Sequence, residues 1–360
     1  MPSMDEDTVM RRLETVTDPD LDADIVRLGL VNAVECAGDD VRISLALGAP
    51  YAPHETAIGR GVREALADIP GDVDLQARLP PAVRDPEVLP EVRNILCVAS
   101  GKGGVGKSTV AVNLAAGLAA LGADVGLFDA DIYGPNVPRM VDAGTAPEAT
   151  PDQRIIPPEQ FGMKLMSMAF LVGEDDPVIW RGPMVHQLLT QFIDDVEWGS
   201  LDYLIVDLPP GTGDTQLTVL QSLPITGAVV VTTPQAVALD DASKGLRMFA
   251  RHETPVLGIV ENMSGFRCPD CGTTHQIFDA DGGRALAGHH ELPYLGAIPL
   301  DPAVRAGGDT GAPVVLEEGE AATAMKLVTE NVANMVGVLH RRAVRRTRGR
   351  VTTDAEVRDD

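Results

Sequence analysis

Aromatic side chains are scarce: two Trp, four Tyr and seven Phe make up 4% of 360 residues. A core with so few rings must be built from Val, Leu, Ile and Ala, and a hydrophobic fraction of 44% excludes wholesale disorder. Lysine is scarcer still. Lys102, Lys107, Lys164, Lys244 and Lys326 are the whole set, so the positive charge is nearly all Arg. Against 53 acidic residues the 29 basic ones leave a net charge of −24. Such a surface repels nucleic acid and anionic lipid unless a local basic patch overrides it. Cysteines are Cys36, Cys97, Cys268 and Cys271, too few for a disulfide framework at this length. The start, Met1-Pro2-Ser3-Met4-Asp5-Glu6-Asp7, has neither a basic n-region nor an apolar h-region. No apolar run reaches the roughly 18 residues of a membrane span. The expectation is a soluble, cytoplasmic protein with neither a membrane nor a nucleic-acid partner.

At this length one large and one small domain are expected. Residues 5–16 read as a short amphipathic helix stopped at Asp18-Pro19-Asp20. Strand-like runs follow at 25–34 and 41–47, the second alternating through Val41, Ile43, Leu45 and Leu47. A helix over 53–69 and a strand over 73–79 complete a small α/β domain, residues 1–80. Pro80, Pro81, Pro86 and Pro90 remove any helical period, so 81–92 reads as an extended linker. From 93 to 340 strands (94–99, 125–128, 163–170, 203–206, 228–232, 256–260, 294–298) alternate with helices (107–121, 183–196, 236–250, 321–339). Short apolar runs separated by helices predict an α/β domain with a mostly parallel sheet covered on both faces. Residues 341–360, Arg-rich and then acidic, are expected to form a flexible charged tail.

Gly101-Lys102-Gly103-Gly104-Val105-Gly106-Lys107-Ser108 follows a buried strand and opens a helix, the context a phosphate-binding loop requires. Its glycines let backbone N–H groups turn inward around phosphates, and the helix N-terminus adds its positive end. Lys107 is placed for the β- and γ-phosphates of ATP and the Ser108 hydroxyl for Mg²⁺, with Thr109 beside them in the nucleotide-binding set. Lys102 is a second lysine, so near the loop's start that it projects away from its own phosphates and towards a neighbouring subunit's nucleotide. The loop resembles the deviant Walker A of the MinD/ParA/nitrogenase iron-protein class, which implies that Lys102 makes that cross-dimer contact. The same class implies that Asp131 orients the attacking water while Asp129 supports Mg²⁺. The strand ending at Asp207 runs into Leu208-Pro209-Pro210-Gly211-Thr212-Gly213-Asp214, which reads as a Walker B strand and a loop that moves with the γ-phosphate. There Asp207 can hold a Mg²⁺-bound water. Asn262 resembles the adenine-contacting Asn of the class.

Cys268-Pro269-Asp270-Cys271-Gly272 sets the chain apart from other P-loop ATPases. Two thiolates on a turn can share a metal centre, but they supply half of the four ligands that a tetrahedral zinc site or a cubane cluster needs. Cys97 lies mid-strand and Cys36 in the small domain, so a second copy of the chain is the economical source of the other two. A homodimer with the pair on its two-fold axis follows.

With these motifs in hand the chain resembles the Mrp/ApbC-type iron–sulfur cluster carriers from about 92 to 315. Asp129-Ala130-Asp131-Ile132-Tyr133-Gly134-Pro135-Asn136, Trp180-Arg181-Gly182-Pro183-Met184, Glu261-Asn262-Met263-Ser264 and Pro299-Leu300-Asp301-Pro302 with Arg305 all fit. The resemblance implies a [4Fe–4S] cluster on Cys268 and Cys271 of both subunits. It also implies slow ATP hydrolysis, and delivery to apo iron–sulfur proteins in concert with cluster scaffold proteins. The first domain, through Gly29-Leu30-Val31 and Pro50-Tyr51-Ala52-Pro53-His54-Glu55, resembles a small MIP-type iron–sulfur assembly domain. Ala52 stands where many such domains carry a cysteine, which favours docking over direct cluster binding.

Three other readings stay open at this level. Four thiolates suit Zn²⁺ equally well, giving a knuckle that staples the dimer. A ParA- or MinD-like positioning ATPase would need a basic DNA-facing stripe or a membrane helix, and Arg341-Arg342-Ala343-Val344-Arg345-Arg346 lacks the apolar face of the latter. A nitrogenase-type reductase would carry its cluster cysteines far apart in sequence.

Overall fold

The computed structural model describes residues 5–78, 88–132, 134–144, 146–171, 182–268 and 270–356. The chain opens with α1 (Glu6–Leu13), β1 (Val31–Ala37), β2 (Asp40–Ala46), α2 (Pro53–Ala65) and β3 (Val73–Arg78). It continues through β4 (Val92–Ser100), α3 (Lys107–Ala120), β5 (Val125–Asp129), α4 (Val137–Met140), β6 (Glu148–Ala149), β7 (Ile155–Ile156), β8 (Glu159–Gln160) and β9 (Met163–Ser167). Then come α5 (Gly182–Asp194), β10 (Leu201–Asp207), α6 (Asp214–Ser222), β11 (Gly227–Thr232) and α7 (Ala236–Arg251). The last elements are β12 (Val256–Arg267), β13 (Thr274–His275), α8 (Gly282–His289), β14 (Tyr294–Leu300), α9 (Pro302–Thr310) and α10 (Glu320–Glu356). The contacts divide them into two units, residues 1–83 with 333–360, and residues 84–332.

In the first unit β1 pairs antiparallel with β2, and β2 pairs parallel with β3. The Asp5 side chain caps α1 by accepting from the Thr8 N–H, and α1 turns Val9 and Leu13 into a core with Ile25, Leu30, Ile43, Leu45, Ile58 and Val62. The frayed tail expected from Arg341 is not what forms. Arg341 lies within α10 and is wholly buried, ion-paired to Asp18 at 2.6 Å, Asp20 at 2.6 Å and Glu55 at 3.0 Å. Glu55 also accepts from the Gly48 and Ala49 N–H groups, while burial raises its pKa against that pull. Beside it, burial and then the Arg341 charge push the His340 imidazole down to about 4, so it sits inside as the neutral form. Removing the cation would strand the buried carboxylates of Asp18 and Glu55 out of water and leave the half-buried Asp20 with His54 as its partner. Arg341→Ala should therefore cost about 3–5 kcal/mol, read as a lower midpoint in urea unfolding of the full chain; an unchanged midpoint would contradict this role.

In the second unit the described sheet runs β13-β12-β11-β4-β10-β5-β9-β8, with β14 beside β12. All pairings are parallel except β12 with β13 and β8 with β9. Ile95, Cys97 and Ala99 share a core with Phe192 of α5, Val219 of α6, Leu246 of α7 and Ala287 of α8. Alternation sends the equally buried Leu96 and Val98 to the other face, where α3 packs with Val110, Ala111 and Leu114 buried. The predicted mostly parallel, doubly covered sheet is thus present. The linker expected over 81–92 falls largely outside the described residues. The strand expected at 256–260 continues to Arg267, through a bulge where Met263 (φ 58°) and Gly265 (φ 76°) take left-handed backbone. The sequence shows no clear period for α6, α8 and α9, which are short; α8 opens on the pair Gly282-Gly283, and α9 contains Gly307-Gly308. Among the described residues no helix is long and apolar enough to cross a membrane.

Candidate functional site

The loop 101–106 leaves the C-terminal end of β4, the central strand, and delivers Lys107 as the first residue of α3. That is the crevice in which open parallel sheets receive ligands. Gly106, at φ 88° the N-cap of α3, has room for nothing larger, because an added Cβ would collide with the Asn262 amide. Gly101 is equally constrained: the backbone of α7 at Asp241 and Ala242 occupies the space a Cβ would take. The loop is thus clamped by α7 at its start and by β12 at its end. Asn262 completes the second clamp by donating from Nδ2 to the Val105 carbonyl at 2.8 Å.

Above the loop opens a cleft of about 520 Å³ lined by Gly103, Gly104, Gly106, Lys107, Ser108, Thr109, Asp131, Asn262 and Met263. Its far wall is Pro299, Leu300, Asp301, Val304 and Arg305, with Arg139 and Asp309. Pro299–Asp301, Arg305 and Met263 were legible in the sequence as motif residues; Arg139 and Asp309 were not, and no local signal marks them. Lys102 is not among the lining residues. Its carbonyl accepts from the Ser100 hydroxyl at 2.9 Å.

Lys107 is almost fully buried, with Nζ 2.6 Å from Asp207, 3.2 Å from the Ser108 hydroxyl and 3.9 Å from Asp131. Asp207 is inaccessible, and burial raises its pKa while Lys107 opposes the rise. Its second oxygen, Oδ2, has no hydrogen-bond partner. A buried carboxylate oxygen left open beside a phosphate loop suits a metal-bound water, so the residues present fit Mg²⁺. Asp129 lies deeper than the sequence suggests. Its oxygens accept from the Ser167 hydroxyl at 2.9 Å and from the N–H groups of Asp131 and Val137, and it lines no part of the cleft. Burial, then the charge of Asp207, raise its pKa to about 7. Asp129 anchors the start of the 131–137 segment, and it is Asp131 that reaches the cleft.

β12 turns back into β13 through the cysteine segment. The Cys268 N–H donates to the Thr273 carbonyl, and Gly272, at φ 70°, donates to the Cys268 carbonyl. Cys268 is half-buried and Cys271 exposed. Hydrogen bonding with the Thr273 side chain and then its backbone draws the Cys271 thiol below its usual value. Arg267 and Cys268 line a second cleft of about 340 Å³, which shares Pro299, Leu300 and Asp301 with the first. His275 pairs with Phe266 in β13 and is exposed. Among the described residues no three His, Cys, Asp or Glu side chains converge as a metal site. Cys97 is buried, its thiol pushed far up, and Cys36 lies in β1 of the other unit. Trp180, Arg181, Tyr133 and Pro269 fall outside the described residues.

With the geometry in place, the chain matches the model described as NUBPL iron-transfer P-loop NTPase over residues 91–336, and one described as iron–sulfur cluster assembly protein over 6–77. It is 47% identical over 337 residues to an iron–sulfur cluster carrier protein of Deinococcus radiodurans, covering 92% of this chain and 96% of that one. Among solved structures it is similar to an Archaeoglobus fulgidus nucleotide-binding protein in complex with ADP. That match has a TM-score of 0.57 and 36% identity over 64% of this chain and 92% of the other. The Pyrococcus furiosus cell division ATPase MinD shares the fold, with a TM-score of 0.52 at 22% identity over 67% of this chain and 98% of MinD.

Proposed function

Because the chain belongs to the NUBPL iron-transfer P-loop NTPase family, we propose that it binds and hydrolyses ATP and carries a [4Fe–4S] cluster to apo-proteins. The cluster is cargo, bridged between Cys268 and Cys271 of two copies of the chain. The observation that carries this reading is that one strand serves both clefts. β12 clamps the phosphate loop through Asn262 and, six positions later, presents Cys268.

In this reading the loop N–H groups and Lys107 bind the ATP phosphates, and Lys107 leaves Asp207 to do so. Ser108 and the open oxygen of Asp207 hold Mg²⁺, the latter through water; the ion supplies charge neutralisation at the phosphates. Asp129 serves by fixing the segment that positions Asp131 against the attacking water. Lys102 reaches the partner's nucleotide, and Asn262 meets the adenine. Scaffold and apo-proteins of the cytoplasm are the partners. The assembly-like domain at 1–80 docks them without holding the cluster, its Ala52 being buried and unable to ligate.

The test is the composition of the protein purified without oxygen. Near four iron and four acid-labile sulfide per dimer supports the assignment. Colourless protein with stoichiometric zinc overturns it, as does a monomer when nucleotide and metal are both present.

A further inference from the structure

For a chain of net charge −24, one surface of the second unit has the wrong sign. A groove of about 580 Å³ lies between α6 and α7, lined by Lys244, Arg247, Arg251 and His252, with Leu217, Met248 and Thr212. No carboxylate lines it. The basic residues fall at helical spacing along α7, so they share one stripe. Lys244 is ion-paired to Asp241 at 2.8 Å, with Asp240 nearby. Arg247 and Arg251 are exposed, and neither has an ion-pair partner among the described residues. They stand one turn apart, about 6 Å along the axis. Leu217 and Met248 are half-buried and give the groove an apolar floor between the charges.

The groove also touches the nucleotide site from two sides. Thr212 belongs to the loop that follows Asp207, and its neighbour Gly211 donates to the Ser100 carbonyl at 3.1 Å. On the opposite wall α7 is the helix whose backbone presses on Gly101. A ligand seated here bears on two neighbours of the phosphate loop's start. By linkage, if its affinity depends on the bound nucleotide, it must in turn shift nucleotide affinity by the same factor.

We propose that this groove docks an acidic peptide segment of a partner protein, one that presents carboxylates about one helical turn apart around an apolar side chain. Arg247 and Arg251 pair with the carboxylates, and Leu217 and Met248 receive the apolar group. The choice of protein over nucleic acid follows from the surroundings: two free arginines cannot offset a long polyanion's repulsion by the rest of so acidic a surface.

The experiment uses the full chain and a fluorescein-labelled synthetic peptide of alternating Glu and Leu, read by anisotropy with ADP and with a non-hydrolysable ATP analogue. Binding should weaken at least tenfold in the double variant Arg247→Glu, Arg251→Glu, and also between 50 and 200 mM salt, on the order expected for released ions. Basal ATP turnover should stay unchanged in that variant, while saturating peptide alters turnover of the native chain only. Should the charge reversal misfold, Arg247→Gln, Arg251→Gln serves in its place. Equal affinity of native and variant chains overturns the proposal. So does tighter binding of a labelled oligothymidylate that the same substitutions abolish. No cluster enters this assay, so its outcome is independent of the cargo assignment.

Discussion

Cys268→Ala, reconstituted with iron and sulfide in the absence of oxygen, should remain colourless and bind no cluster, while its ATP affinity stays within about twofold of the native value. The argument is one of counting. Each copy offers two thiolates, and no third ligand converges on them among the described residues. Losing Cys268 leaves one thiolate per copy, two in the proposed dimer, against the four that a cubane requires. The nucleotide cleft is untouched, because Cys268 lines the neighbouring cleft and not that one. Absorbance near 400 nm and sulfide content read the first half, nucleotide titration the second. A variant that still transferred clusters at the native rate would sink the carrier assignment.

Lys107→Ala should give the mirror image. Turnover of ATP is expected to fall roughly 100- to 1,000-fold, the usual cost of deleting a charged donor aimed at developing charge, while cluster binding on isolated protein persists. Transfer to an apo-enzyme should fail all the same. The substitution also strips Asp207 of its nearest cation, at 2.6 Å. With burial already raising the pKa of that carboxylate, loss of the lysine raises it further, and the variant should melt lower than the native chain. Comparing melting with and without Mg²⁺ and ADP separates this structural cost from the catalytic one. Undiminished turnover would remove Lys107 from the phosphate site.

The phosphate loop, the acids at 131 and 207 that stand beside Lys107, and the cysteine pair could be picked out from the chain, since each motif rests on residues close together. What could not be read depends on distant partners. Asp129 looks like a metal-side acid until Ser167, 38 positions on, takes one of its oxygens. Asn262 shows itself as a clamp only through Val105, 157 positions away. Arg341 sits in an Arg-rich run with the composition of a loose end; its carboxylates lie 286 and 321 positions upstream at Glu55 and Asp20. In each case a buried polar group had to find a partner, and nothing local says which. The extension of β12 was missed for a related reason. Pairing with β14 and β13 carries it past two left-handed residues, Met263 and Gly265, that break the alternation a strand normally displays.

The division of β12 between two clefts constrains how fuel can act on freight. Fewer than seven residues join them, at most about 20 Å of extended chain, yet the anhydride and the sulfur ligands open into different chambers that share only the wall 299–301. In the proposed function no phosphoryl group is handed to the cargo, so any coupling between the two sites would have to pass as displacement of backbone. The backbone that joins the two clefts is the kinked stretch at Met263 and Gly265. One residue added or removed there would turn every side chain beyond it to the opposite face, and Cys268 would no longer face the second cleft that it lines.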